Sequence, residues 1–183
     1  MKISYKIKFY SDWHCGSGLA AGADVDMLVI KSPDKLPYLP GKTVKGLIRE
    51  AYTLVASSAE DVTLRLFGPD TPATDKAPAE AFFTDAELPQ EEKNALVATR
   101  SQKYLYRKIS STAIDERGVA KHQSLRKIEV AIPCTLQGCI YHVPDEAANN
   151  VIDAMKYIKR LGAGRNRGLG RCQFIDIQKG GDK

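Results

Sequence analysis

The chain opens on alternation. In KISYKIKFY, residues 2–10, Ile3, Tyr5, Ile7 and Phe9 fall on every second position, which predicts a strand with one buried face. The period then changes. Val44, Leu47, Ile48, Ala51, Leu54 and Val55 recur at helical spacing, so 43–57 reads as an amphipathic helix. A second helix is predicted over 145–162, with Asp145 as N-cap, Val151, Ile152, Met155 and Ile158 on one face, and Gly162 as C-cap. Strand patterns also cover 81–86, a β-prone run at 127–143 that breaks near Pro133, and a closing strand at 172–178. MLVIK, residues 27–31, reads as a short strand or an ordered loop edge.

Loops fill the intervals. Residues 11–24 are rich in Gly and Ala, 33–41 are punctuated by prolines, 68–80 read as an exposed loop, and 90–98 as a short helical turn. The order β, α, β, β, α, β predicts an α+β, ferredoxin-like βαββαβ core in a single domain spanning residues 1–183. Residues 99–127 are polar, basic and weakly periodic, too long for a hairpin loop, and are expected to form a protruding functional element.

Composition narrows the class. The 183 residues are 43% hydrophobic and 27% charged, enough for one packed core. Mean hydropathy is −0.30, and no apolar run approaches the roughly 20 residues of a membrane span. The N-terminus lacks the apolar stretch of a signal peptide, so a soluble, cytoplasmic protein with no membrane partner is expected. Cys15, Cys134, Cys139 and Cys172 show neither CxxC nor zinc-finger spacing and read as free thiols, with the neighbouring His14 and Cys15 as a weak metal hint.

The net charge is +5, which suits a polyanionic partner. Basic residues gather at 42–49, 100–108, 117–127 and 156–171, a spacing that suits a surface assembled in three dimensions. Two stretches stand out. In PYLPGKTVKGLIREA, residues 37–51, the backbone N–H groups of the helix start, with Lys42 and Lys45, offer an anion site. In GAGRNRGLGRC, residues 162–172, glycines surround Arg165, Arg167 and Arg171, whose forked guanidinium groups suit phosphates. That loop follows a helix and opens a strand, the reverse of a dinucleotide-binding turn, and no GK[ST] closes a P-loop.

PYLPGKTVKGLIRE, followed by LFG (66–68), FFTDA (82–86), LRKIEVAIP (125–133) and the terminal LGAGRNRGLGRCQF, resembles the RAMP superfamily of CRISPR-associated proteins. The similarity is greatest to the crRNA-binding backbone subunits of type III (Csm and Cmr) effector complexes. SDWHCGSG with GLIREA also resembles the III-D branch. The resemblance implies an RRM-like core with a thumb, here at about 99–127, and three partners: crRNA, target RNA and other RAMP subunits. It implies that Lys42, Lys45, Arg49, Arg165 and Arg167 hold guide phosphates, and that His14 lies in a stretch touching the crRNA backbone, as a stacking or phosphate-contacting group or a packed structural one.

The resemblance also implies a cleavage site. In active backbone subunits an aspartate after the first strand cuts target RNA with a divalent metal. Asp26, directly before MLVIK, fits that position best as catalytic residue and metal ligand, and Asp24 is the reserve. A carboxylate there would take the proton of the RNA 2′-OH or hold Mg²⁺ or Mn²⁺ against the transferring phosphate. Two alternatives share the fold: a subunit that only holds or caps crRNA, and a metal-independent crRNA-processing endonuclease with His14 and His122 as acid–base candidates.

Overall fold

The computed structural model describes residues 1–20, 25–56, 60–69 and 78–181. Strand β1 (Lys2–Phe9) turns Ile3, Tyr5, Ile7 and Phe9 inward. It runs antiparallel between β5 (Thr135–Tyr141) and β6 (Cys172–Gly180), and the short β2 (Phe82–Phe83) pairs with the far side of β5. The strand order β2-β5-β1-β6 is that of a ferredoxin-like sheet.

Helices α1 (Gly41–Val55) and α4 (Ala148–Tyr157) pack together against one face of the sheet. Val44, Ile48, Ala51 and Tyr52 of α1 meet Val151, Ala154 and Met155 of α4 within one core. Helix α2 (Glu60–Phe67) adds Leu66 and Phe67 to that core, and Phe67 stacks on Phe83 with ring centroids 5.9 Å apart. Helix α3 (Gln90–Ala98) buries none of its residues. Among the described residues no helix is long and apolar enough to cross a membrane.

The break expected near Pro133 is present, and the helix expected at 145–162 needs correction at both ends. The β-prone run at 127–143 divides at Pro133. Its first part is β4 (Arg126–Ala131), which pairs with β3 (Tyr106–Ser111) in a separate two-stranded sheet inserted between β2 and β5. The helix expected at 145–162 stops at Tyr157. Asp145 makes no side-chain cap there and lies 3.6 Å from the N-terminal ammonium group. Gly162 therefore closes no helix; it is fitted against another backbone, as the site shows.

MLVIK forms no strand of its own but runs along β4. Glu129 donates its N–H to the Met27 carbonyl at 3.0 Å, and Asp26 donates its N–H to the Lys127 carbonyl at 2.8 Å.

Candidate nucleic-acid interface

The segment after β1 is the hub of the basic surface. Trp13 exchanges backbone hydrogen bonds with Ala131 at 3.0 and 2.9 Å, which fixes the segment to β4. On its other side lies the glycine loop. The carbonyl of Asp12 accepts the N–H of Gly170 at 2.7 Å, and that of His14 accepts the N–H of Ala163 at 2.9 Å. The loop is tied internally as well: Leu161 N–H meets the Gly170 carbonyl at 3.0 Å, and Arg167 N–H meets the Gly164 carbonyl at 2.7 Å. Gly162 and Gly170 have φ of +86° and +69°, and a Cβ on either would collide with a neighbouring carbonyl, of His14 and Leu161 respectively. The glycines thus build an ordered loop that lies close against the hub.

Helix α1 meets the hub from a third side. The Cys15 thiol is pushed up by burial, against the opposing effects of a hydrogen bond with Thr43 and the charge of Lys42. Lys42 is exposed, and Lys45 and Arg49 are half-buried about one and two turns further on. Burial, and then the neighbouring Arg49 cation, hold the Lys45 ammonium below the usual lysine value. Arg165 of the loop reaches Glu50, the residue beside Arg49, at 3.7 Å. The structure thus ties Arg165 to α1 at Glu50, with Arg167 exposed on the same loop, while Lys42, Lys45 and Arg49 follow one another at helical spacing along a neighbouring side of α1.

Gly46 lies between these cations on α1. It is exposed, and a Cβ there would meet nothing within 4 Å. A glycine inside a helix costs roughly 0.5–1 kcal/mol relative to alanine. No packing contact explains it.

Two features limit how this surface could meet RNA. The first backbone donor of α1 is not free for an anion, because the Asp85 carboxylate already accepts the Gly41 N–H at 2.7 Å. His14 is 0% exposed and presents no face for stacking on RNA. Its Nδ1 is 2.7 Å from the Glu129 carbonyl, and its Nε2 faces Gly16 with no hydrogen-bond partner among the described residues. His122, the other acid–base candidate, is exposed on the connection between β3 and β4.

Asp26 stands at the edge of the inserted hairpin. One carboxylate oxygen accepts the Lys127 N–H at 2.7 Å, and the side chain is exposed. Asp24 lies outside the described residues. Among the described residues no group of three His, Cys, Asp or Glu side chains is arranged to hold a metal. One free carboxylate oxygen suits a hydrated Mg²⁺ that takes its other ligands from water and phosphate, not a closed protein cage.

Sequence reasoning missed Asp12. It is 5% exposed and forms an ion pair with Arg107 at the start of β3, linking the hub to the hairpin. A lone aspartate after a strand gives no signal of this, since its partner is 95 residues away.

The fold is shared with solved structures. One chain of a type III-B Cmr-beta complex bound to cognate target RNA aligns with TM-score 0.73 at 10% identity, covering 95% of this chain and 96% of that one. A chain of the apo Cmr-beta complex aligns with TM-score 0.75 at 12% identity over the same shares. No protein with a curated description matches the sequence. The sequence profile of the RAMP superfamily matches residues 6–173, nearly the whole chain, and the protein belongs to that superfamily.

Proposed function

We propose that this chain is a crRNA-binding subunit of a type III CRISPR effector complex. One observation carries the reading: the basic start of α1 and the glycine loop that carries Arg165 and Arg167 adjoin the same hub, with Arg165 reaching Glu50 of α1. Cations on a rigid frame hold phosphates without reading bases, as a guide-holding surface requires. Membership of the superfamily and the likeness to chains of two Cmr-beta structures support the assignment.

We extend the proposal to cleavage of guide-complementary RNA beside Asp26. The oxygen that Lys127 leaves free would accept the proton of a splayed 2′-OH as that oxygen attacks the adjacent phosphorus. The P–O5′ bond breaks, the leaving oxygen takes up a proton, and the products are a 2′,3′-cyclic phosphate and a 5′-OH. Alternatively, the same Asp26 oxygen would hold Mg²⁺ or Mn²⁺ when the ion is bound, which would offset charge on the transferring phosphate and leave the proton to water. A second reading is a subunit that holds RNA and cuts nothing. It is favoured by the use of one Asp26 oxygen in the hairpin and by the lack, among the described residues, of any group of three His, Cys, Asp or Glu side chains that could hold a metal.

Cleavage of guide-complementary RNA by the assembled complex with Mg²⁺ decides between them. The Asp26→Asn variant keeps an acceptor for Lys127 and removes the charge. Loss of cuts with guide binding retained supports the nuclease. Intact target with the unaltered complex supports the holding subunit.

A further inference from the structure

Lys35 and Arg100 hold left-handed backbone, φ 61° and 52°, at positions where glycine would serve at lower cost. Arg100 closes α3. Its N–H meets the Val97 carbonyl at 3.1 Å, and the next N–H, of Ser101, meets the Leu96 carbonyl at 3.0 Å. That pair of bonds is the Schellman closure, whose left-handed position is usually glycine. Lys35 closes a turn over Pro33 and Asp34, with its N–H on the Ser32 carbonyl at 2.9 Å. A side chain in this backbone region costs roughly 1–2 kcal/mol. Both positions nonetheless carry a long cation.

Both cations line the same cleft, of about 480 Å³. Six of the nine residues lining it are lysine or arginine, and Glu129 is the only acid. Glu129 is committed elsewhere: its carboxylate holds Lys31 at 2.8 Å and the Val29 N–H at 3.1 Å. Arg107 is paired with Asp12. Lys35, Arg100 and Lys103 have no acidic partner among the described residues. Lys103 lies 4.9 Å over the ring of Tyr104, which is 69% exposed. Uncompensated cations beside an exposed aromatic ring are the equipment of a single-strand binding surface.

We infer that this cleft is a second phosphodiester subsite for single-stranded RNA, in which Lys35, Arg100 and Lys103 hold backbone phosphates. It shares no residue with the α1 and glycine-loop surface, and it rests on the reading of the chain as an RNA holder. Lys35 and Arg100 keep side chains in left-handed backbone because their charge is needed in the cleft.

The test sets stability against binding. Lys35→Gly and Arg100→Gly, singly and together, are made in the full chain, with Lys35→Gln/Arg100→Gln as the pair that keeps a side chain at each position. Melting temperature and affinity for a 20-nucleotide single-stranded RNA are measured across a salt series. The glycine variants should melt at the same or a higher temperature. The double variants should bind about tenfold more weakly, with a salt slope shallower by about one to two. Unchanged affinity and slope in both double variants would overturn the subsite.

A Lys42→Gln/Arg49→Gln variant separates the two claims. Loss of affinity there, with the cleft variants unaffected, leaves the RNA-holding reading standing and removes the subsite. Loss only in the cleft variants upholds the subsite and removes the α1 seat. No RNA binding by the unaltered chain removes both. Polyglutamate binding that senses the cleft variants while RNA binding does not would assign the cleft to an acidic protein surface and overturn the proposal.

Discussion

The carbonyl oxygen of His14 accepts the N–H of Ala163 at 2.9 Å, and Gly162 lies so close to that carbonyl that a Cβ would collide with it. The glycine loop is therefore seated on the hub at this point. Gly168, with φ +90° and nothing within 4 Å of its missing Cβ, is the control. Gly168→Ala should cost only the left-handed backbone, about 1 kcal/mol. Gly162→Ala must also push the loop off His14 and should cost on the order of 3 kcal/mol. Denaturant unfolding of the two variants checks the difference.

Gly46 separates stability from binding in the opposite sense. Gly46→Ala should raise stability by about 0.5–1 kcal/mol, because it improves helix propensity and meets no neighbour. Gly46→Leu should fold and yet bind RNA more weakly, because a strand resting on Lys42, Lys45 and Arg49 would have to cross the added side chain. Equal affinity in the leucine variant would mean that RNA does not approach this face of α1.

Arg107 neutralises Asp12, which is almost wholly buried. Arg107→Gln strands that carboxylate and should cost about 1–3 kcal/mol, less than a fully buried pair because the guanidinium is largely exposed. Adding Asp12→Asn should recover part of the loss. A double-mutant cycle by chemical denaturation gives the coupling.

Lys45 predicts a pH dependence. Its folded value lies below its unfolded one, so the unfolded chain binds more protons in the window just below the usual lysine value. Stability should rise with pH through that window as the crowded ammonium is released, and Lys45→Met should remove the rise while stabilising the fold at neutral pH. The same variant should weaken RNA binding, since a phosphate beside Lys45 favours its charged form. Urea midpoints across alkaline pH, compared between the two proteins, read the effect.

Much of the core was legible because single side chains repeat at one period. Ile3, Tyr5 and Ile7 mark β1, and Val44, Ile48 and Ala51 mark α1. Strand β3 was not legible. YRKISS is exposed on both faces of a two-stranded sheet and so shows no alternation. Helix α2 is too short for its period to separate from a loop. The basic residues of the α1 and glycine-loop surface were visible as clusters, but the burial of His14 was not. It depends on Glu129 and Gly162, both more than a hundred residues away. The cleft of Lys35 and Arg100 depends equally on segments that only the fold brings together.

The most direct measurement is the affinity of the full chain for guide-length single-stranded RNA as a function of salt, compared with an Arg165→Gln/Arg167→Gln/Lys42→Gln variant. If these side chains hold phosphates, the unaltered protein should show a steep fall of affinity with salt, and the variant a slope shallower by about two to three. A slope that is flat in the unaltered protein, or the same in both, would contradict the assignment of this surface to the guide.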